Sequence, residues 1–347
     1  MNLKQILAVV TIPVMMYSCS KKDATITPAP PPVITTTDTP KIFYVKDQYA
    51  GSVLSYEIYS SYTDGTNEKK LTDFSNSGTI KKWATSPIFN ADSTRIIFVL
   101  ATGLNDGKLM IMDLNGANST PLTANFGSGG IHDPRLYQNG QKILFWKDTL
   151  LTGPSLNATL GQIFTANTDG TNLQKLTSVS GTGGAPDSDC FLGSIYNNKI
   201  IFLKLMPPMG GYGYEEIYSM NVDGSNKQRI TTNNLDKNGA SFSPDGSKIV
   251  FYGSANAAVH NGHSEIFIMN ADGSNITQLT NYSNNGALAA YSASPCFSKD
   301  GKTIYYTSDW ESIGQTSQVY KMNIDGTGKT KVTSGGIGSY KYDIIVK

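Results

Sequence analysis

The sequence predicts an all-β fold: a six-bladed β-propeller with four-stranded blades, its ring closed by the C-terminal strand. Three observations carry that expectation. The motif NVDGSN at Asn221–Asn226 recurs as NTDGTN (167–172), NADGSN (270–275) and NIDGTG (323–328), with echoes in YTDGTN (62–67) and DLNGAN (113–118). In all six copies a threonine follows the turn glycine after seven residues, from Gly65 and Thr72 to Gly326 and Thr333. The copies, counted at Asp64, Asn115, Asp169, Asp223, Asp272 and Asp325, lie 51, 54, 54, 49 and 53 residues apart. That period is near the ~50 of kelch blades and above the ~40–45 of WD blades.

Each copy sits in a unit with two longer apolar runs. A Lys- or Arg-led run (KIFYV, RIIFV, KILFW, KIIFL, KIVFY, with TIYYT in the last unit) precedes a run that leads into the turn, such as EIYSMNVDG or EIFIMNADG. Both are short, rich in Ile, Val, Phe and Tyr, and apolar at successive positions, as strands covered on both faces are. After the turn comes a short strand ending in an aliphatic residue and Thr. The fixed interval of seven is the mark of a hairpin whose register its turn sets, since a slip of one residue would invert every side chain. Asp-Gly or Asn-Gly supplies the positive φ that such a turn needs. A further turn (FNADSTR, YQNGQK, FSPDGSK) precedes the Lys-led run, and the strand before it often opens with Pro87, Pro134 or Pro295, a residue tolerated at strand starts. Each unit therefore has strands a, b, c and d. The first unit lacks strand a, and the run SYKYDIIVK (339–347) is expected to supply it and close the ring, removing the open edge.

The ends and the composition address location. The segment MNLKQILAVVTIPVMMYSC has Lys4, an apolar run from Ile6 to Met16, and then Cys19. The run is too short to span a bilayer and reads as a secretion signal. MYSC resembles the lipobox of bacterial lipoproteins, which implies a signal peptide over 1–18 and a lipid on Cys19. Residues 19–40 are rich in Pro and Thr and are expected to form an extended tether, with the propeller over 41–347. The 28 basic and 27 acidic residues leave a formal charge of +1, which excludes the basic footprint of a nucleic-acid binder. Cys190 and Cys296 are read as free thiols.

The unit SFSPDGSKIVFYG…SEIFIMNADGSNITQLT (241–280) is similar to the WD-like repeats of the TolB propeller family, with P-D-G, K-I-x-F, E-I-Y, D-G and L-T in the same order. The resemblance covers residues 41 to 347. It implies the fold rather than an activity, because the shared positions are turns and core. The family includes a periplasmic protein that contacts a peptidoglycan-associated lipoprotein through its propeller and carries an α/β domain before it; here a tether precedes the propeller.

Function is expected on the face that carries the b–c and d–a links, since these differ from unit to unit whereas the turns do not. The candidates for ligand contact are Tyr212, Tyr214 and Trp310 in b–c links, His132, Asp133 and Arg135 where one innermost strand begins, and His260 and His263 in the loop HNGH. Asp187 and Asp189 are also expected near the start of an innermost strand. Related propellers of oligogalacturonate lyases use a histidine-held metal. HNGH lies on a loop with no identifiable fourth ligand, so no metal and no cofactor are expected. The N-x-D-G-x-N turns lack the alternating carboxylates and final Glu of a calcium loop. No G-x-S-x-G occurs, against a peptidase. The expectation is a monomeric, non-catalytic envelope module that binds a protein or glycan and touches the membrane only through its N-terminal lipid. The alternative is a metal-dependent polysaccharide lyase or hydrolase using the same face.

Overall fold

The computed structural model describes residues 39–50, 53–74, 82–102, 106–122, 126, 129–153, 156–178, 191–209, 212–233, 235–254, 264–282, 290–311, 316–334 and 341–347. Cys19, Asp187, Asp189, Cys190, His260 and His263 lie outside them, and so does the side chain of Tyr212. All regular structure among the described residues is β. Repeat 1 contributes β1 (Lys41–Ala50), β2 (Val53–Tyr62) and β3 (Lys69–Lys70), and repeat 2 contributes β4 (Trp83–Phe89), β5 (Arg95–Ala101), β6 (Lys108–Asp113) and β7 (Thr120–Pro121). Repeat 3 supplies β8 (Ile131–Tyr137), β9 (Lys142–Gly153), β10 (Leu156–Asn167) and β11 (Gln174–Lys175). Repeat 4 supplies β12 (Phe191–Tyr196), β13 (Lys199–Met209), β14 (Tyr212–Asn221) and β15 (Gln228–Arg229). Repeat 5 has β16 (Asn238–Phe242), β17 (Lys248–Gly253), β18 (Glu265–Asn270) and β19 (Thr277–Gln278). Repeat 6 has β20 (Ser292–Phe297), β21 (Thr303–Ser308), β22 (Gln318–Asn323) and β23 (Thr330–Lys331), and β24 (Lys341–Val346) ends the chain.

Repeats 3 to 6 each form one antiparallel four-stranded sheet. Repeats 1 and 2 differ from the expected separate blades. They share an eight-stranded sheet, joined by a single parallel pair, Tyr56 with Trp83. The two rings meet edge to face there, 6.1 Å apart.

The recurring motif is explained atom by atom. In the turn, Asp223 Oδ1 accepts the Ser225 amide at 2.9 Å and its hydroxyl at 2.6 Å, while Asn221 Nδ2 donates to the same hydroxyl oxygen at 2.9 Å. Gly224 and Asn226 then take φ of 84° and 52°, the left-handed region open to Gly and Asn. Asp169, Asp272 and Asp325 repeat the arrangement with Thr171, Ser274 and Thr327.

The Thr seven residues after the glycine closes a second, buried motif. Thr280 Oγ1 accepts the Ile266 amide at 2.8 Å and donates to Glu265 Oε2 at 2.5 Å. The other oxygen of Glu265 takes the Tyr282 amide at 2.7 Å. Thr72, Thr177, Thr231 and Thr333 likewise donate to Glu57, Gln162, Glu216 and Gln318. Burial of these side chains is tolerated because they are hydrogen-bonded.

Successive repeats pack through apolar clusters. Turn glycines also abut the repeat before them: a Cβ on Gly116 would lie 2.4 Å from Leu71 O, and one on Gly273 2.4 Å from Ile230 O. In repeat 1 the partner is the last repeat, with a Cβ on Gly65 falling 1.6 Å from Val332 O. The same seam holds Ile42, Tyr44 and Tyr59 against Tyr305, Val319, Val332 and Ile344. Strand β24 pairs antiparallel with β1, Ile42 opposite Val346 and Lys46 opposite Lys341, and Lys347 N donates to Lys41 O at 2.9 Å. Head and tail are therefore joined as the sequence predicts.

Candidate functional site

Strands β4, β8, β12, β16, β20 and β24 are the innermost of the repeats, each neighbouring the next around a single cavity of about 1060 Å³. All six bend at one place. Register shifts fall between Thr85 and Ile88, His132 and Arg135, Leu192 and Ile195, Asn238 and Ser241, Ala293 and Cys296, and, for β24, where Phe43 and Val45 of β1 face it. At the bends Ser86, Asp133, Gly239, Ser294 and Asp343 adopt φ of 50°, 45°, 56°, 51° and 43°. Pro87, Pro134 and Pro295 follow three of them directly, in mid-strand rather than at the strand starts expected. The placement suits proline, which has no N–H to give a ladder and is confined to edges and bulges.

The bend aims side chains at the channel. Asp133 Oδ2 accepts the Trp146 Nε1–H at 2.7 Å and its Oδ1 accepts the Ser86 hydroxyl at 2.9 Å. His132 stacks on Trp146 with ring centroids 4.0 Å apart, and its Nε2 lies 3.0 Å from Asp148 Oδ2. Phe191 meets Trp146 edge on at 5.5 Å. On another wall Tyr252 and Tyr291 meet edge to face at 6.1 Å.

Asp343 lines the cavity and accepts the Ser86 amide at 3.0 Å. Enclosure deep in the channel, and then the charge of Asp133, push its carboxyl up to about 6 against the single amide and Arg135, which favour the ionised form. Burial raises the Cys296 thiol, on the same wall, to about 12. An ordinary buried thiol behaves this way.

Of the residues singled out in the sequence, His132, Asp133 and Arg135 all lie on β8; Asp133 and Arg135 line the cavity, whereas His132 packs on Trp146 and Asp148. Trp310 follows β21 and lies flat on Tyr282, centroids 5.1 Å apart, with 37% of its surface exposed. Tyr214 is not a loop contact. It is buried on β14 opposite Met206, because the link expected to be a loop is extended hairpin. The links at 46–56 and 147–161 are likewise hairpin, through β1–β2 and β9–β10. Trp146, Phe191, Tyr252, Tyr291 and Asp343 were missed. For Asp343 a signal exists: aligned on the innermost strands, it occupies the position of Asp133, Ser86 and Ser294. Among the described residues no three His, Cys, Asp or Glu side chains are placed to hold a metal, and no helix is long and apolar enough to cross a membrane.

Searches for relatives agree with the geometry. No protein-family model and no curated protein matches the chain. Among solved structures, TolB from Acinetobacter baumannii matches with a TM-score of 0.63 at 17% identity, over 88% of this chain and 66% of that one. The fold is a TolB-like β-propeller. The putative TolB from Agrobacterium tumefaciens matches at TM-score 0.58 and 14% identity, over 88% of this chain and 99% of that one. Hydrazine synthase of Kuenenia stuttgartiensis matches at 0.65 and 14%, over 89% of this chain and 46% of that one. At such identities a TolB-like fold is what is shared, and sites are argued from residues.

Proposed function

We propose that this chain is a non-catalytic binding module of the bacterial cell envelope. Residues 1–18 act as the signal peptide, Cys19 carries the lipid, 19–40 form the tether, and 41–347 form a propeller of six blades. It presents the channel mouth to an envelope protein or a cell-wall glycan. One observation carries the reading. Four large apolar side chains are more than a third exposed among the described residues: Leu173, Phe191, Tyr291 and Trp310. Phe191 and Tyr291 stand where innermost strands begin, and Trp310 stands where the neighbouring strand ends; Ser292 pairs with Ser308 between them. Three of the four thus stand at the same end of their sheets, and Phe191 among them lines the cavity. Clustered exposed aromatics mark recognition surfaces.

Pull-down from bacterial envelope extract tests this, comparing wild type with a Phe191→Ala, Trp310→Ala double variant of unchanged thermal stability. The double variant should lose the partners that wild type retains. Identical partner profiles would contradict the reading. Mass spectrometry of the mature N-terminus tests the anchor, with a diacylglyceryl-modified Cys19 as the expected start.

A further inference from the structure

Buried charged side chains in this protein are engaged, by an opposite charge or by hydrogen bonds. Lys237, fully buried, sits 2.9 Å from Glu216, which also takes Arg229 at 3.0 Å. Buried Lys147 donates to Phe126 O at 2.9 Å. Both oxygens of Asp133 are occupied, by Ser86 and Trp146.

Two oppositely charged groups in the channel are engaged only in part. Arg135 donates from Nη1 to Pro134 O at 2.8 Å and forms no ion pair among the described residues. Asp343 takes the Ser86 amide on Oδ2, and no described donor reaches its Oδ1. Both line the same cavity, near enough that Arg135 favours the ionised form of Asp343 without touching it. Opposite charges left apart in a partly desolvated space are costly, and a bridging ligand relieves both. A guanidinium offers a planar donor fork that matches a carboxylate, and a carboxylate oxygen accepts the short, strong bonds of an ammonium.

We propose that the channel binds the zwitterionic head of an amino acid or short peptide, its carboxylate on Arg135 and its ammonium on Asp343. This rests on the binding role proposed above and names its ligand class. Charge balance favours a zwitterion over either ion alone. A simple cation leaves Arg135 unmatched, and a simple anion meets the charges of Asp133 and Asp343. Space agrees, since about 1060 Å³ lies just above the ~300–1,000 Å³ of small-molecule sites. Strands β8, β12, β16, β20 and β24 each end their sheets, so their channel-side edges carry main-chain donors and acceptors unpaired by other strands, the partners a peptide uses. Phe191 and Tyr252 supply apolar wall for its side chain.

Ligand-observed NMR on the full chain tests the proposal, using an equimolar pool of the common α-amino acids and their dipeptides. The same pool is run N-acetylated and, separately, C-amidated. The free pool should bind, and either cap should weaken the best binder at least tenfold, equivalent to about 1.4 kcal/mol. Arg135→Gln and Asp343→Asn should each weaken the free pool similarly, and Arg135→Lys should restore part of the loss. No binding of the free pool to wild type, equal binding of either capped pool, or variants that bind as wild type does would each overturn it. The capped pools need no variant, so a misfolded substitution cannot mask the answer. Partners retained by wild type in the envelope pull-down and lost with the Phe191→Ala, Trp310→Ala double variant, beside a free pool that fails to bind, would overturn this inference alone and leave the broader role standing.

Discussion

Left-handed residues appear in two regions of this molecule, and the regions use them differently. In the hairpin turns, Asn67, Asn118, Asn172, Asn226 and Asn275 hold φ between 52° and 57°. The same residue type recurs, and the side chains around it bond within the turn. Along the channel, Ser86, Asp133, Gly239, Ser294 and Asp343 hold φ between 43° and 56°. Here the backbone repeats while the side chain varies among Ser, Asp and Gly, and Asp133, Gly239, Ser294 and Asp343 line a cavity. A position that repeats in both backbone and side chain serves the architecture. One that repeats only in backbone is free to serve a ligand.

The contrast can be broken by substitution. Gly65→Val meets both a positive φ and Val332 O, and should cost about 3 kcal/mol or more in denaturant unfolding. Gly301→Ala is the control: its φ is 70°, but its nearest neighbour would be 3.5 Å away, so the cost should be about 1 kcal/mol. Equal losses would show that the glycine at the seam matters only for its φ. Next, Thr280→Val keeps the shape of the side chain but strips the Ile266 amide and Glu265 of their partner. It should cost about 2 kcal/mol by the same measurement.

Acid titration separates the two regions by sign. Asp343 is raised to about 6 by burial and then by Asp133, so folding holds its proton more tightly than the unfolded chain does. Its contribution is fully present below the ordinary Asp value of about 4 and is lost as pH rises through 6. Wild type should therefore lose on the order of 1–2 kcal/mol relative to Asp343→Asn between pH about 4 and 7. The turn aspartates run the other way. At Asp169, Asp223, Asp272 and Asp325 the Ser or Thr hydroxyl, and then the amide, holds the carboxylate low; at Asp64 the amide leads. Their contribution is present above pH about 4 and lost below it. A wild-type profile parallel to that of Asp343→Asn would remove the distinction. Smallest of all, Ser294→Gly at φ 51° should change stability by less than about 0.5 kcal/mol.

The fold was legible because its signals are local and repeated: the Asp-Gly turn, the threonine seven residues on, and Lys-led apolar runs. The tail strand was legible by counting, since repeat 1 lacked an innermost strand. The buried role of Glu265 was hidden, because one sequence shows a Glu beside an apolar run without saying that Thr280 would reach it. At the channel, Asp133 and Arg135 were visible because they cluster with His132 near a strand start. Asp343 was not, lying 210 residues from Asp133 and meeting it only when the ring closes. Tyr214 misled because glycines around it suggest a loop, whereas β13 and β14 run on through that link.

Closure of head on tail underlies the channel and the ligand proposed for it, and amide hydrogen exchange reads it directly. The Lys347 amide and the amides of β24 that face β1 should exchange as slowly as the core amides of β1, at the rate set by global unfolding. Exchange of β24 at the rate of a free chain end, while β1 stays protected, would contradict closure.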